Sequence, residues 1–166
     1  MVDVSNLERG PCPGLLGDVA AMHGRYYAKH WGFPIVFEDK VAREMGAFLQ
    51  RYDPARDLIL WLGDEHRVRG SITMDGSDPA LDRGQAHLRW FILDESLAGR
   101  GLGRRLVDTA LGFARESGFA SIYLTTFKGL GSAMALYERA GFTLVDEQEG
   151  QTWGRTVLEQ RLELEL

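Results

Sequence analysis

The stretch Arg89-Trp-Phe-Ile-Leu-Asp-Glu-Ser-Leu-Ala-Gly-Arg-Gly-Leu-Gly103 indicates the fold of this chain. It starts as an apolar strand, passes two acidic residues, and ends in three glycines that alternate with larger residues. Glycines let the backbone approach an anion closely, and the free N–H groups of a following helix favour negative charge. The stretch therefore predicts a phosphate-binding turn between a strand and a helix, surrounded by Arg100, Arg104 and Arg105.

Other motifs that contain glycines make different demands on the sequence. A tight strand-to-helix turn without a ligand stays open, because three glycines alone do not decide it. The dinucleotide fingerprint G-x-G-x-x-G fails, since its third glycine would fall on Arg104 or Leu106. A Walker loop also fails, because no lysine follows the glycines.

Hydrophobic periodicity along the chain predicts one mixed α/β domain covering residues 1–166. Asp18 and Ser132 are the expected N-caps of the first and last helices, and Gly118 and Gly141 the expected ends of the last two. The predicted strands are 2–8, 57–62, 68–74, 86–93, 120–126, 142–147 and 151–163, and the predicted helices are 18–31, 38–50, 102–117 and 132–140.

Composition limits the class of protein. The chain has 166 residues, 45% of them hydrophobic, which suits a globular domain with a real core. The net charge of -5 disfavours a general nucleic-acid surface. Cys12 is alone, so no internal disulfide can form. No apolar run approaches the roughly 20 residues of a membrane span, and the N-terminus lacks a secretory pattern. We therefore expect a cytoplasmic protein that binds neither nucleic acid nor membrane.

Two motifs in this sequence resemble those of the GNAT acetyltransferases. Their acetyl-CoA loop, [Q/R]-x-x-G-x-[G/A], follows the fourth strand, and Gly101 and Gly103 occupy its glycine positions. Ala98 stands where that family has Gln or Arg. Residues 136–142, Leu-Tyr-Glu-Arg-Ala-Gly-Phe, are similar to the family's L-Y-x-x-x-G-F signature, although Leu130 replaces its usual Asn. Two such motifs in the right order are far more specific than either alone.

Residues 90–93, 126–130 and 153–155 resemble the acetyltransferase halves of proteins that fuse a MarR-type regulator to a GNAT domain. The chain has no room for the regulator, so a DNA-binding role is not implied. The resemblance implies the GNAT fold, an α/β (α+β) architecture with a strongly twisted mixed sheet. About seven strands and about four helices are expected, with the fourth and fifth strands splayed to admit acetyl-CoA.

The resemblance implies transfer of an acetyl group from acetyl-CoA to a primary amine of a small molecule or peptide, by direct attack in a ternary complex. No metal is implied, and a homodimer is possible. A catalytically weak acyl-CoA-binding or sensor module is the alternative, favoured by Ala98 and Leu130, whereas Tyr137 and the glycines favour the enzyme. A nucleotide-binding protein is a further alternative, which predicts that ATP or NAD protects against heat better than CoA.

Candidate site residues follow from the resemblance and from strand geometry. Tyr137 holds the family's position for the general acid, and His87 is the candidate base, ahead of Asp75 and Glu44. Each could instead be a packing or solvated residue. Cofactor contacts are expected from Phe91, Ile92, Leu93, Ala98, Gly99, Arg100, Gly101, Leu102, Gly103 and Arg104. The acceptor wall is expected from Tyr26, Tyr27, Trp31 and Trp153, although such aromatics could also be core.

Overall fold

The computed structural model describes residues 6–166 as one sheet with helices on both of its faces. Its strands are β1 Glu8–Arg9, β2 Leu58–Gly63, β3 Val68–Asp75, β4 Gln85–Leu93, β5 Ser121–Phe127, β6 Thr143–Gly150 and β7 Val157–Glu165. Its helices are α1 Leu15–Trp31, α2 Ile35–Gln50, α3 Leu102–Glu116 and α4 Gly131–Ala140, with a single 3-10 turn at Glu95–Leu97.

The sheet has the order β1-β2-β3-β4-β5-β7-β6. Every neighbouring pair is antiparallel except β4 and β5, which run parallel. One core lies between the sheet and α1 and α2, around Val19, Met45 and Phe48. A second core lies on the other face beneath α3 and α4, around Leu106 and Ala110. The mixed seven-stranded sheet with four helices confirms the predicted fold class.

The amphipathic stripe of α3 is confirmed, because Leu102, Leu106 and Ala110 are buried on one face. Burial of such a stripe, rather than intrinsic propensity, supplies most of a helix's stability in a protein. Gly118 follows the end of α3 with a φ of 78°, and Gly141 closes α4 with a φ of 102°. Both glycines therefore end their helices in the left-handed conformation, as expected.

Two predicted helix caps are wrong. Helix α1 begins at Leu15 behind Gly14, and Asp18 instead accepts a hydrogen bond from the Val68 N–H at 2.8 Å. Helix α4 begins behind Leu130, so Ser132 lies inside its first turn and caps nothing. In both cases the helix begins before the polar residue. The Asp18 carboxylate bonds to the Val68 N–H of β3 instead of to the N–H groups of the first helical turn.

Element boundaries differ from the predicted ones at three other places. Helix α2 begins at Ile35 behind Pro34, three residues before the predicted start. The last hairpin turns at residues 151–156, so its second strand starts later than predicted. The first strand is reduced to Glu8–Arg9, and the predicted residues 2–5 lie outside the described part of the chain.

A bulge interrupts β4. Arg89 pairs with Thr73 and Ile92 with Ser71, so two β4 residues, Trp90 and Phe91, stand opposite one β3 residue. Trp90 has a φ of 49°, in the left-handed region that bulky side chains rarely adopt. The extra residue reverses the alternation of the strand, because Leu88 faces the α3 core whereas Trp90 faces the α1–α2 core. The regular alternation of a β-strand is therefore broken between Leu88 and Trp90.

Strands β4 and β5 part after a short paired segment. Their ladder runs from Gln85 opposite Ser121 to His87 opposite Tyr123 and ends there. Strand β5 continues to Phe127 against β7, and β4 continues to Leu93 against β3. Beyond His87, the edge of β4 that faces β5 therefore pairs with no strand in residues 6–166. The predicted splay of the fourth and fifth strands is confirmed.

Candidate active site

The glycine loop presents a row of backbone donors at the start of α3. Gly99 and Gly101 have φ values of 76° and 72°, and the added Cβ of a side chain at either would meet nothing within 4 Å. Within the described chain, the N–H groups of residues 99–104 bond to no backbone carbonyl. Free N–H groups at a helix N-terminus suit an anion.

Charge accompanies this row of donors. Arg100 and Arg104 are exposed beside the loop. The Nε of Arg104 lies 3.5 Å from the Oδ2 of Asp108. Ala98 is exposed and donates its N–H to the Glu95 carbonyl, so it contributes neither a side-chain donor nor a free amide. The Asp94 carboxylate accepts from the Ser96 N–H and holds the turn that precedes the glycines. An anion here would thus rest on backbone amides and two arginines.

A cavity of about 280 Å³ opens where β4 and β5 separate. Its walls come from both sides of the sheet. The strand walls are residues 87–91 of β4 and residues 124–127 of β5. The helices α1 and α2, with the segment between them, add His23, Tyr27, Phe33, Phe37, Lys40, Val41 and Glu44. The α4 region and the last hairpin add Leu130, Ala133, Tyr137, Thr152 and Trp153. The unpaired β4 edge therefore runs from the glycine loop to this cavity.

Comparison with known proteins agrees with this geometry. The sequence model of the Acetyltransferase (GNAT) family matches residues 23–142, which is most of the chain. The chain belongs to the GNAT acetyltransferase family.

Individual proteins are similar to this chain in sequence or in fold. Human N-acetyltransferase 8B is 31% identical over 99 residues, which are 58% of this chain and 44% of that protein. The chain spans about half the length, or less, of the curated relatives it matches. The ribosomal-protein-alanine N-acetyltransferase of Brucella melitensis superposes with a TM-score of 0.74 at 17% identity, covering 97% of this chain and 99% of that one.

A third relative carries the cofactor. YncA of Salmonella typhimurium, whose structure contains its cofactor acetyl-CoA, superposes with a TM-score of 0.66 at 19% identity, covering 96% of this chain and 94% of that one. No helix in residues 6–166 is long and apolar enough to cross a membrane, and no three potential metal ligands cluster there. The narrower resemblance to fused MarR–GNAT proteins stays a prediction.

Tyr137 of this GNAT chain reaches the cavity from α4. Its ring packs edge-on against Phe91 at 6.2 Å and Phe142 at 5.9 Å, and the side chain is buried. Burial, with the nearby Tyr27 phenol, raises the pKa of Tyr137 above its usual value. The phenol is therefore protonated at neutral pH, and burial makes it a weaker acid than a free tyrosine. Tyr137 both packs against its neighbours and lines the cavity, and its role as general acid stays a prediction.

His87 lies at the last paired position of β4, on the cavity wall. Its ring stacks on Tyr123 at 4.1 Å between centroids, and its Nδ1 lies 3.0 Å from the Tyr123 hydroxyl. Burial, with the neighbouring guanidiniums of Arg89 and Arg161, lowers the pKa of His87 to about 3. The imidazole is therefore neutral at pH 7. If Nδ1 donates its proton to Tyr123, Nε2 remains free to accept one.

Asp75 and Glu44 belong to a row of alternating charges that ends at the cavity. Arg51 holds Asp75 through two bonds of 2.7 Å, and Arg89 bridges Asp75 at 3.2 Å to Glu44 at 2.9 Å. Lys40 ends the row through an ion pair with Glu44. Although burial opposes it, bonding to Arg51 and Arg89 lowers the pKa of Asp75. Asp75 is therefore an ionised structural anchor that does not line the cavity.

The four aromatic residues predicted for the acceptor wall divide into two pairs. Tyr27 and Trp153 line the cavity. Tyr26 and Trp31 do not line the cavity. The Tyr26 ring lies 4.6 Å from the His30 ring between centroids, and the Trp31 ring packs edge-on against Phe127 at 4.8 Å. Arg155 donates to the Trp31 carbonyl and so ties the last hairpin to the end of α1. Trp31 therefore contacts the cavity only indirectly, by packing against the wall residue Phe127.

His23 is a cavity residue that the sequence did not single out. Its Nδ1 lies 2.8 Å from the Val19 carbonyl, which fixes Nδ1 as the donor and leaves Nε2 as an acceptor. Burial lowers the pKa of His23 to about 4, so the ring is neutral. His23 stands four residues before Tyr27, and this helical spacing was the signal that could have placed both on one wall.

Acidification is expected to destabilise the protein through its two buried histidines. In the unfolded chain both take up protons near pH 6.5, whereas in the folded protein they resist until about pH 4 and pH 3. The unfolded state binds more protons between these values, so the free energy of unfolding rises with pH there. Stability should be full above about pH 6.5 and fall progressively below it.

Urea denaturation at pH 7.5, 6 and 5 measures this dependence. His87→Gln should make the fall in midpoint with pH clearly shallower than in the wild type. His66→Gln is the control, because His66 is exposed in the β2–β3 turn, and it should leave the slope unchanged. An identical slope in His87→Gln would show that His87 is not held neutral.

Proposed function

We propose that this chain transfers an acetyl group from acetyl-CoA to a primary amine of a small molecule or peptide, by direct attack in a ternary complex. The observation that carries the proposal is the unpaired β4 edge, which joins the open glycine loop to the cavity between β4 and β5. The acetyl-CoA in the related YncA structure supports the choice of cofactor.

The residues present fit this cofactor. The free N–H groups of residues 99–104, with Arg100 and Arg104, would hold the diphosphate. The backbone of Phe91, Ile92 and Leu93 would bond the amide-rich pantetheine arm as an added strand, since no strand covers that edge in the described chain. A β4 N–H would also stabilise the charge that develops on the thioester oxygen. When bound, acetyl-CoA supplies the thioester carbonyl that the amine attacks.

The proton steps are assigned to two side chains. As the nitrogen–carbon bond forms and the carbon–sulfur bond breaks, the Tyr137 hydroxyl gives its proton to the leaving sulfur. His87 Nε2 takes the proton of the amine, directly or through a water molecule. A pKa of about 3 makes His87 a weak base, so it serves as a relay that passes the proton on to solvent, and solvent returns a proton to Tyr137. Tyr27 and Trp153 form the acceptor wall near these groups.

Release of free CoA thiol, measured with a panel of primary amines, tests the function. We expect amine-dependent release together with one N-acetylated product by mass spectrometry. Tight CoA binding with no turnover on any amine would instead support the catalytically weak acyl-CoA-binding module. Stronger thermal protection by ATP or NAD than by CoA would point to a nucleotide-binding protein and overturn the assignment.

A further inference from the structure

The charged row beside the cavity ends in one cation with bonding capacity to spare. Arg89 is only 14% exposed and is engaged by both Asp75 and Glu44. Lys40 is 29% exposed, lines the cavity, and pairs with Glu44 alone among residues 6–166. An ammonium has three donors, so Lys40 keeps donors for a ligand. Arg89 also lines the cavity, but Lys40 is the more exposed of the two cations and is therefore the one assigned to an acceptor, with Glu44 beside it as the carboxylate.

Lys40 and Glu44 are four residues apart on α2 and so present a positive and a negative group side by side. This arrangement is complementary to a ligand that carries a carboxylate and an ammonium on the same carbon. A simple amine offers no carboxylate to the remaining donors of Lys40, and a peptide N-terminus lacks a carboxylate on the same carbon. Paired recognition of this kind gives specificity, because only a ligand with both charges meets both groups.

Beside the charged pair, the cavity has an apolar wall. Tyr27, Phe33, Phe37, Val41, Phe127 and Trp153 line it and belong to one packed cluster. Arg89 and the threonines Thr125, Thr126 and Thr152 are the polar part of the remaining lining. The two histidines add acceptors but no charge at neutral pH. A volume of about 280 Å³ is at the small end of ligand pockets, which suits one amino acid.

Resting on the proposed function, we propose that the acceptor is a free α-amino acid with an aromatic or branched apolar side chain. Lys40 binds its carboxylate, Glu44 orients its amino group, and the aromatic walls hold its side chain. Lys40 is thus the residue that selects an acceptor carrying a carboxylate beside the reacting amine.

Three matched acceptors test this selection: L-phenylalanine, L-phenylalaninamide, whose carboxylate is masked, and phenethylamine, which lacks it. We expect kcat/KM for L-phenylalanine to exceed that for each of the others by about 20-fold or more, as befits a charged hydrogen bond. Lys40→Met should lower kcat/KM for L-phenylalanine by a similar factor, mainly through KM, and lower that for phenethylamine much less, so that the preference between the two is lost. Lys40→Arg should restore most of the preference.

Arg43→Met is the control, because it removes one positive charge from the same helix at a position outside the cavity. Arg43 is exposed, pairs with Asp39 and does not line the cavity. The variant should behave as the wild type. Calorimetry of each acceptor against the CoA-saturated protein reports binding even without turnover, and loss of L-phenylalanine binding in Lys40→Met supports the proposal. Equal kcat/KM and equal binding of the three acceptors would overturn it while leaving acetyl transfer intact. Absence of turnover on every amine would count against the function itself.

Discussion

Replacing Gly101 with valine is expected to abolish CoA binding while the fold persists. Gly101 precedes the first turn of α3 with a φ of 72°, where a β-branched residue is strained by about 1–3 kcal/mol. The added Cβ meets no atom within 4 Å, so the side chain would not clash inside the protein. It would instead occupy the open space in front of the amides of residues 99–104, which the proposed diphosphate needs. Affinity for acetyl-CoA should fall at least ~100-fold by calorimetry.

Gly118 provides the matched control for this change. It lies at the other end of the same helix, has a φ of 78°, and also has open space around an added Cβ. Gly118→Val should therefore carry a similar backbone strain and a similar fall in melting temperature, but bind acetyl-CoA normally. If Gly101→Val retained wild-type affinity, the cofactor would have to lie elsewhere.

Tyr137→Phe is expected to lower kcat by about 100-fold, at the lower end of what general acid catalysis contributes. The ring contacts with Phe91 and Phe142 survive the change, so the site should keep its shape. The KM for acetyl-CoA should therefore change by less than ~3-fold. Steady-state kinetics with the best amine of the panel measures both constants. The comparison separates a proton donor from a packing residue, because only the hydroxyl is removed.

Tyr52→Phe is the corresponding control. Tyr52 packs edge-on against Phe48 at 5.9 Å and does not line the cavity, so its hydroxyl has no role in the proposed proton steps. This variant should keep the wild-type kcat. Turnover by Tyr137→Phe at the wild-type rate would remove Tyr137 from the mechanism and strengthen the case for its being a core residue.

Much of the cofactor loop could be predicted because its signals are local. A strand, three glycines and an amphipathic helix follow one another between Arg89 and Gly118, and each is recognisable within a few residues. The splay of β4 and β5 came from the resemblance to the GNAT family rather than from any local signal. The helix caps at Asp18 and Ser132 failed for the opposite reason, since a distant strand N–H, or an earlier helix start, decided them.

The acceptor side of the cavity was much less predictable. His23 on α1, Lys40 on α2 and His87 on β4 come together only through packing of the helices on the sheet. The sequence marked His87 and Glu44 singly, and nothing local indicated that Arg89 would join Glu44 to Asp75. The bulge at Trp90 was equally hidden, because it is defined by which β3 residue each β4 residue faces.

By itself the sequence determined the order of strands and helices, the glycine turn and the position of Tyr137, because periodicity, chain reversal and helix ends depend on neighbouring residues. Only the tertiary structure decided which side chains share the cavity and what charge they carry. Burial makes both histidines neutral, and ion pairing across α2, β3 and β4 leaves Lys40 at the cavity end of the charged row. Those properties depend on distances between residues far apart in the chain, which no local pattern contains.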